Sequence, residues 1–105
     1  MNLKKYNIMA EFDENDLQYD DYTNTVTGGD KKEYIGKLDR DKVNKKERYE
    51  VIHFCKAFVN NYNVPKTTAS FQKVEKLIRL PQASGIVMRD ELNKFVAENW
   101  NKGLV

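Results

Sequence analysis

A chain of 105 residues, 40% apolar and 32% charged, is sized for one domain spanning 1–105, with a modest core that buries roughly 60 to 65% of the unfolded surface. Its net charge of +2 hides an opposition: residues 1–30 hold seven acids against Lys4 and Lys5, whereas residues 31–105 hold sixteen Lys or Arg against nine acids. No apolar run approaches the about 18 to 20 residues of a membrane span, no signal-type apolar region is present, and the single Cys55 excludes an intramolecular disulfide, so a cytoplasmic protein with no membrane partner is expected.

The predicted fold class is α+β, an N-terminal strand or small antiparallel sheet packed on a C-terminal three-helix unit, with an acidic strand and hairpin region over 1–38 and a basic helical region over 40–103. From Leu3 to Phe12, Tyr6, Ile8, Ala10 and Phe12 alternate with Lys5, Asn7, Met9 and Glu11, the period of a half-buried strand. Asp13 to Tyr22 is acidic, with Leu17, Tyr19 and Tyr22 set among Asp residues, and reads equally as an ordered loop or a mobile segment. Thr23 to Thr27 and Lys32 to Leu38 flank Gly28-Gly29, a pair suited to the positive φ of a tight hairpin.

The helical half is better patterned. Between Asn44 and Tyr62, apolar residues at Val51, Ile52, Cys55, Phe58, Val59 and Tyr62 mark one helix face. Asn63-Val64-Pro65 ends that helix, and Thr67 or Thr68 caps a second one carrying Phe71, Val74, Leu77 and Ile78, which stops at Leu80 ahead of Pro81. After a loop over Gln82 to Gly85 and a brief extended stretch, a third helix from about Met88 presents Leu92, Phe95, Val96 and Trp100. Asp90 and Glu91 lie in its first turn, with Gly103 as C-cap and Leu104 folding back. The predicted core is Val51, Ile52, Cys55, Phe58, Val59, Phe71, Val74, Leu77, Ile78, Leu92, Phe95 and Val96.

Known chemistries find little purchase. His53 and Cys55 are two residues apart on one helix, so their side chains diverge and form no nucleophile and base pair. Cys55 belongs to the apolar stripe, with His53 at its border. A structural zinc site needs four ligands of the Cys and His type, and the chain has two in total. A calcium loop starting at Asp13 places Leu17 and Gln18 at a ligand and the required glycine, and one starting at Asp16 places Asp21 at the glycine and Thr27 at the bidentate Glu. Gly28-Gly29 precedes neither a helix nor a GK[ST] motif. The expectation is a non-enzyme with no cofactor, no metal and no catalytic residue.

Two binding readings remain, with a structural one behind them. Lys45, Lys46 and Arg48 before the first helix, and Lys73, Lys76 and Arg79 on the second, form cationic faces in a helix, connection, helix outline that suits nucleic acid. Lys exceeds Arg by 14 to 4 and Asn is abundant; the Lys excess favours backbone contact over base reading, the composition suggests a low-GC bacterium, a phage or a mobile element as source, and an accessory regulator of phage or mobile-element type is the expectation. Alternatively Asp13, Leu17, Tyr19, Asp20, Asp21 and Tyr22 dock on another protein, as an adaptor or inhibitor. The acidic segment also has the charge to lie across the basic helices at home. In the third reading the chain is a structural subunit that self-assembles through its helices with Trp100 at the interface.

Overall fold

The computed structural model describes residues 10–24 and 41–105, and these form a mostly helical unit. Three α-helices follow one another, α1 (Arg48–Asn61), α2 (Thr68–Ile78) and α3 (Arg89–Asn99), with short 3-10 turns at Glu14–Asp16 and Pro81–Ala83. The expected sheet is corrected by this arrangement: the described residues contain no strand, only isolated bridges pairing Thr23 with Glu47 and Lys42 with Met88. Of the strand predicted over Leu3 to Phe12, only Ala10 to Phe12 is described, and the hairpin halves around Gly28-Gly29 lie outside the described residues apart from Thr23 and Asn24. The physical reason is visible at Ala10. Its N–H donates to Asn60 Oδ1 at 2.8 Å and its carbonyl accepts from Asn60 Nδ2 at 3.1 Å, so a side-chain amide on α1 stands where a neighbouring strand would have been. Alternating burial requires one apolar surface and a satisfied backbone, not a ladder.

The helix limits follow local chemistry. Asn44 to Glu47 form a turn instead of the first helical turn, because Asn44 Oδ1 accepts from Lys46 N at 3.0 Å and Glu50 Oε1 accepts from Asn44 N at 2.8 Å. The first free N–H of α1, on Arg48, donates to Thr23 O at 2.9 Å. Thr67 caps α2, its hydroxyl accepting from Ser70 N at 3.2 Å. Pro81 then opens the 3-10 turn that separates α2 from α3. The segment at 41–43 runs antiparallel to 87–89, with Val43 N on Val87 O at 2.8 Å and Arg89 N on Asp41 O at 2.6 Å, which gives α3 its starting point.

The core fills the space between the helices. Val51, Cys55, Phe58 and Val59 of α1 meet Phe71, Val74, Leu77 and Ile78 of α2 and Leu92 and Val96 of α3, all buried as predicted. Ile52 and Phe95 are half-buried at its edge, while Val43, Phe54 and Ala83 join it. Each fully buried Phe contributes about 2 to 3 kcal/mol through burial. Gly103 takes the left-handed φ of 71° that its predicted role needs, but α3 ends earlier, at Asn99 with Trp100 as its C-cap, and Leu104 is exposed instead of folding back.

Candidate nucleic-acid interface and the acidic strap

Residues 10–24 form a strap across α1 and α2. Phe12 anchors its start, packing on Phe71 with ring centroids 4.8 Å apart. Asp13 and Asp16 then cap the 3-10 turn reciprocally: Asp13 Oδ1 accepts from Asn15 N and Asp16 Oδ2 accepts from Asp13 N, each at 2.9 Å. That turn aims the chain along α2. Thr68 Oγ1 donates to Asp16 Oδ1 at 3.1 Å and Gln72 Nε2 to Asp16 O at 3.0 Å.

One turn further on lies Glu75, which is fully buried. Its carboxylate accepts from Gln18 N at 2.8 Å, Tyr19 N at 3.2 Å and Tyr22 Oη at 2.7 Å. A buried carboxylate is costly unless donors replace its lost water, and three donors from the strap do so here. Burial, followed by the Glu75 carboxylate, pushes the Tyr22 hydroxyl well above its ordinary range. At the end of α2, Arg79 grips Asp21 with both branches of its guanidinium, at 2.9 and 2.8 Å, and lies 3.8 Å from the Tyr19 ring centroid and 5.2 Å from that of Tyr22. The Arg79 hydrogen bond holds the Asp21 carboxyl below the usual carboxylate range. Thr68, Gln72, Glu75 and Arg79 thus form one stripe of α2, read in order by the strap. On α1, Lys56 pairs with Glu11 at 3.0 Å and Arg48 with Glu14 at 3.2 Å.

No protein-family model, curated protein or solved structure matches this chain at a significant level. The site is therefore read from its own geometry.

The six cationic residues expected to meet nucleic acid are placed unequally. Arg48 and Arg79 are held by strap carboxylates. Lys45 is half-buried with its ammonium on the Ala83 carbonyl, and desolvation lowers its pKa. Lys73 lies over the Trp100 ring, 4.6 Å from its centroid. Lys46 is exposed and Lys76 half-buried, and neither side chain has a carboxylate partner among the described residues. Of the six residues assigned to protein binding, Leu17 and Tyr22 pack against the core, Asp13 caps a turn, Asp21 pairs with Arg79, and Tyr19 and Asp20 are exposed.

His53 is exposed, not at the core border, and lines a groove of about 420 Å³ with Phe12, Glu14, Tyr49 and Lys56. Cys55 faces the opposite way, fully buried, and burial followed by the nearby Glu75 charge pushes its thiol well above the ordinary value. Among the described residues no group of three or more His, Cys, Asp or Glu could hold a metal ion, and no helix is long and apolar enough to cross a membrane.

Sequence reasoning missed Glu75 and Asn60, and it read Gln72 as part of the outward polar face of α2, where the structure has it donating to Asp16 O. Glu75 carried a signal: it follows Phe71 by four residues and precedes Ile78 by three, which puts a carboxylate on the rim of an apolar helix stripe.

Proposed function

We propose that this chain is a small non-enzymatic binding protein that contacts nucleic acid through the cationic surface of α1 and α2. What supports the reading is charge placement. Residues 41–105 carry twelve Lys or Arg against seven Asp or Glu, and Lys46, Lys73 and Lys76 keep side chains that no carboxylate among the described residues neutralises. Lysine ammonium groups engage phosphates without reading bases, so the expected binding is salt-sensitive and weakly sequence-selective.

The adaptor reading has less to work with. Its apolar residues Leu17 and Tyr22 are committed to the core of this chain, which leaves Tyr19 and Asp20 as its outward contacts. The self-assembly reading loses its anchor in the same way, since Trp100 stacks on Phe58.

The test is a titration against duplex and single-stranded DNA at about 50 and 200 mM salt. Three phosphate contacts on duplex predict an affinity drop of about 40-fold between those conditions. Lys46→Gln, Lys73→Gln and Lys76→Gln together should abolish most of that salt dependence. Absence of binding at 50 mM salt would sink the proposal.

A further inference from the structure

We propose that Asp21 and Glu14 are internal competitors of nucleic-acid phosphate, holding Arg79 and Arg48 in a closed state from which a polyanion can claim them. The inference rests on the nucleic-acid reading above and adds a regulated part to the same surface.

The strap has two physically different parts. Phe12, Leu17, Tyr22 and the bonds to Glu75 tie it into the core; lifting this part would uncover Phe71 and Glu75, which are both 0% exposed. That part stays in place. The ion pairs lie at the rim, where the side chains of Asp21 and Glu14 are 63% and 50% exposed and those of Arg79 and Arg48 are 28% and 33% exposed. Carboxylates so placed leave their partners at little cost, because water solvates them on departure.

Arg79 is also prepared for a replacement. A guanidinium fork that takes a carboxylate bidentately takes a phosphate in the same geometry, and the stack on Tyr19 and Tyr22 orients the group independently of Asp21. Arg79 lies one turn beyond Lys76 on α2 and Arg48 lies two residues from Lys46, so both arginines extend the surface already assigned to the lysines. Exchange of carboxylate for phosphate is isoelectric at each arginine. It adds one phosphate contact per released side chain without disturbing the buried anchor.

The experiment compares Asp21→Asn with Asp20→Asn against the same duplex and single-stranded DNA across a salt series. Both variants remove one negative charge from adjacent positions, so both weaken general repulsion, but only Asp21→Asn frees Arg79. The expected result is a higher affinity for Asp21→Asn than for Asp20→Asn. Its log affinity against log salt should be steeper by up to about 0.9 on duplex, the value for one full phosphate contact, according to how often Asp21 keeps Arg79 in the bound wild type, with no steepening for Asp20→Asn. In an Arg79→Gln background the difference between the two should vanish. Glu14→Gln should behave as Asp21→Asn does, through Arg48. Equal affinities for Asp21→Asn and Asp20→Asn across the salt series with wild-type binding intact would overturn the competitor role and leave the lysine surface standing. Absence of DNA binding by the wild type and all variants would overturn both.

Discussion

Tyr22 Oη donates a 2.7 Å hydrogen bond to the carboxylate of Glu75, a residue with no exposed surface. This bond joins the most acidic part of the chain to the centre of α2, and it makes the strap part of the fold. Tyr22→Phe keeps the ring and removes the donor, leaving Glu75 with two backbone N–H groups; a lost bond to a charged acceptor should cost about 1.5 to 3 kcal/mol in urea unfolding. Glu75→Gln should cost at least as much, since its amide group would face donors on the strap. Glu75→Leu offers no remedy, because Gln18 N, Tyr19 N and Tyr22 Oη would all lose their acceptor. A variant at Glu75 as stable as the wild type would show that the strap is not held there.

The alkaline limb of stability has a worked sign. Cys55 and Tyr22 both have folded pKa values above their ordinary ones, raised first by burial and then by Glu75. In the unfolded chain they ionise near about 8.5 and 10, while the folded protein keeps both protonated. The unfolded state therefore binds fewer protons, and stability that is complete below about pH 8.5 falls as pH rises, by up to about 1.4 kcal/mol per pH unit for each group. Denaturation midpoints measured between pH 7 and 11 should decline accordingly. Cys55→Ala should lower stability at pH 7 by leaving a small cavity, yet flatten the decline between about pH 8.5 and 10. An unchanged slope in that variant would mean that the thiol is not the group responsible. The same burial predicts that a thiol reagent labels Cys55 only at the rate of unfolding.

How far the sequence could be read depended on the range of the interactions. The core of α1 to α3 was legible because helical periodicity is local, and ten of the twelve predicted core positions are buried. Phe54 could have been added on the same argument, one turn before Phe58 and three residues after Val51. The predicted strand misled because Ala10 and Phe12 are placed by Asn60 and Phe71, some 50 and 59 residues away in the chain. No spacing within residues 3–12 records such partners. The charge opposition was visible, and docking of the acidic segment at home was one of its readings. Its address was not: the carboxylates of the segment pair with Arg48, Lys56 and Arg79. Arginine forks and stacked tyrosines, more than net charge, selected the partners.

Asn60 gives a local test of how the strap begins. Its amide accepts from Ala10 N, donates to Ala10 O and also donates to Lys56 O at 3.0 Å within its own helix. Asn60→Ala removes the pairing that replaces a strand neighbour and should cost about 1 kcal/mol. Asn60→Asp retains an acceptor but sets a carboxylate against the Ala10 carbonyl, so it should be no better. Hydrogen exchange locates the effect. The Ala10 amide should lose protection in both variants, while amides at the centre of α2 exchange as in the wild type once the change in global stability is allowed for. Retained protection at Ala10 would place its hydrogen bond elsewhere.

Trp100 provides the reporter that links stability to binding. Its ring stacks on Phe58 with centroids 5.6 Å apart, and Lys73 Nζ lies 4.6 Å above it. As the single tryptophan of the chain, it reports on both neighbours by fluorescence. Trp100→Phe should keep much of the stack, whereas Trp100→Ala uncovers Phe58, which is 1% exposed, and should cost about 2 to 3 kcal/mol, below the range for a fully buried Trp. Lys73→Gln should cost only about 0.5 to 1 kcal/mol, since a cation over a ring at a partly exposed site is worth no more. If phosphate draws Lys73 away, Trp100 emission should change on addition of DNA at low salt, return on addition of salt, and remain constant in Lys73→Gln. An unchanged signal with DNA bound would remove Lys73 from the contact surface. Sedimentation separates this role from self-assembly. With the ring committed to Phe58, Trp100→Ala and the wild type should sediment alike, and a wild-type oligomer that Trp100→Ala dissolves would return Trp100 to an interface.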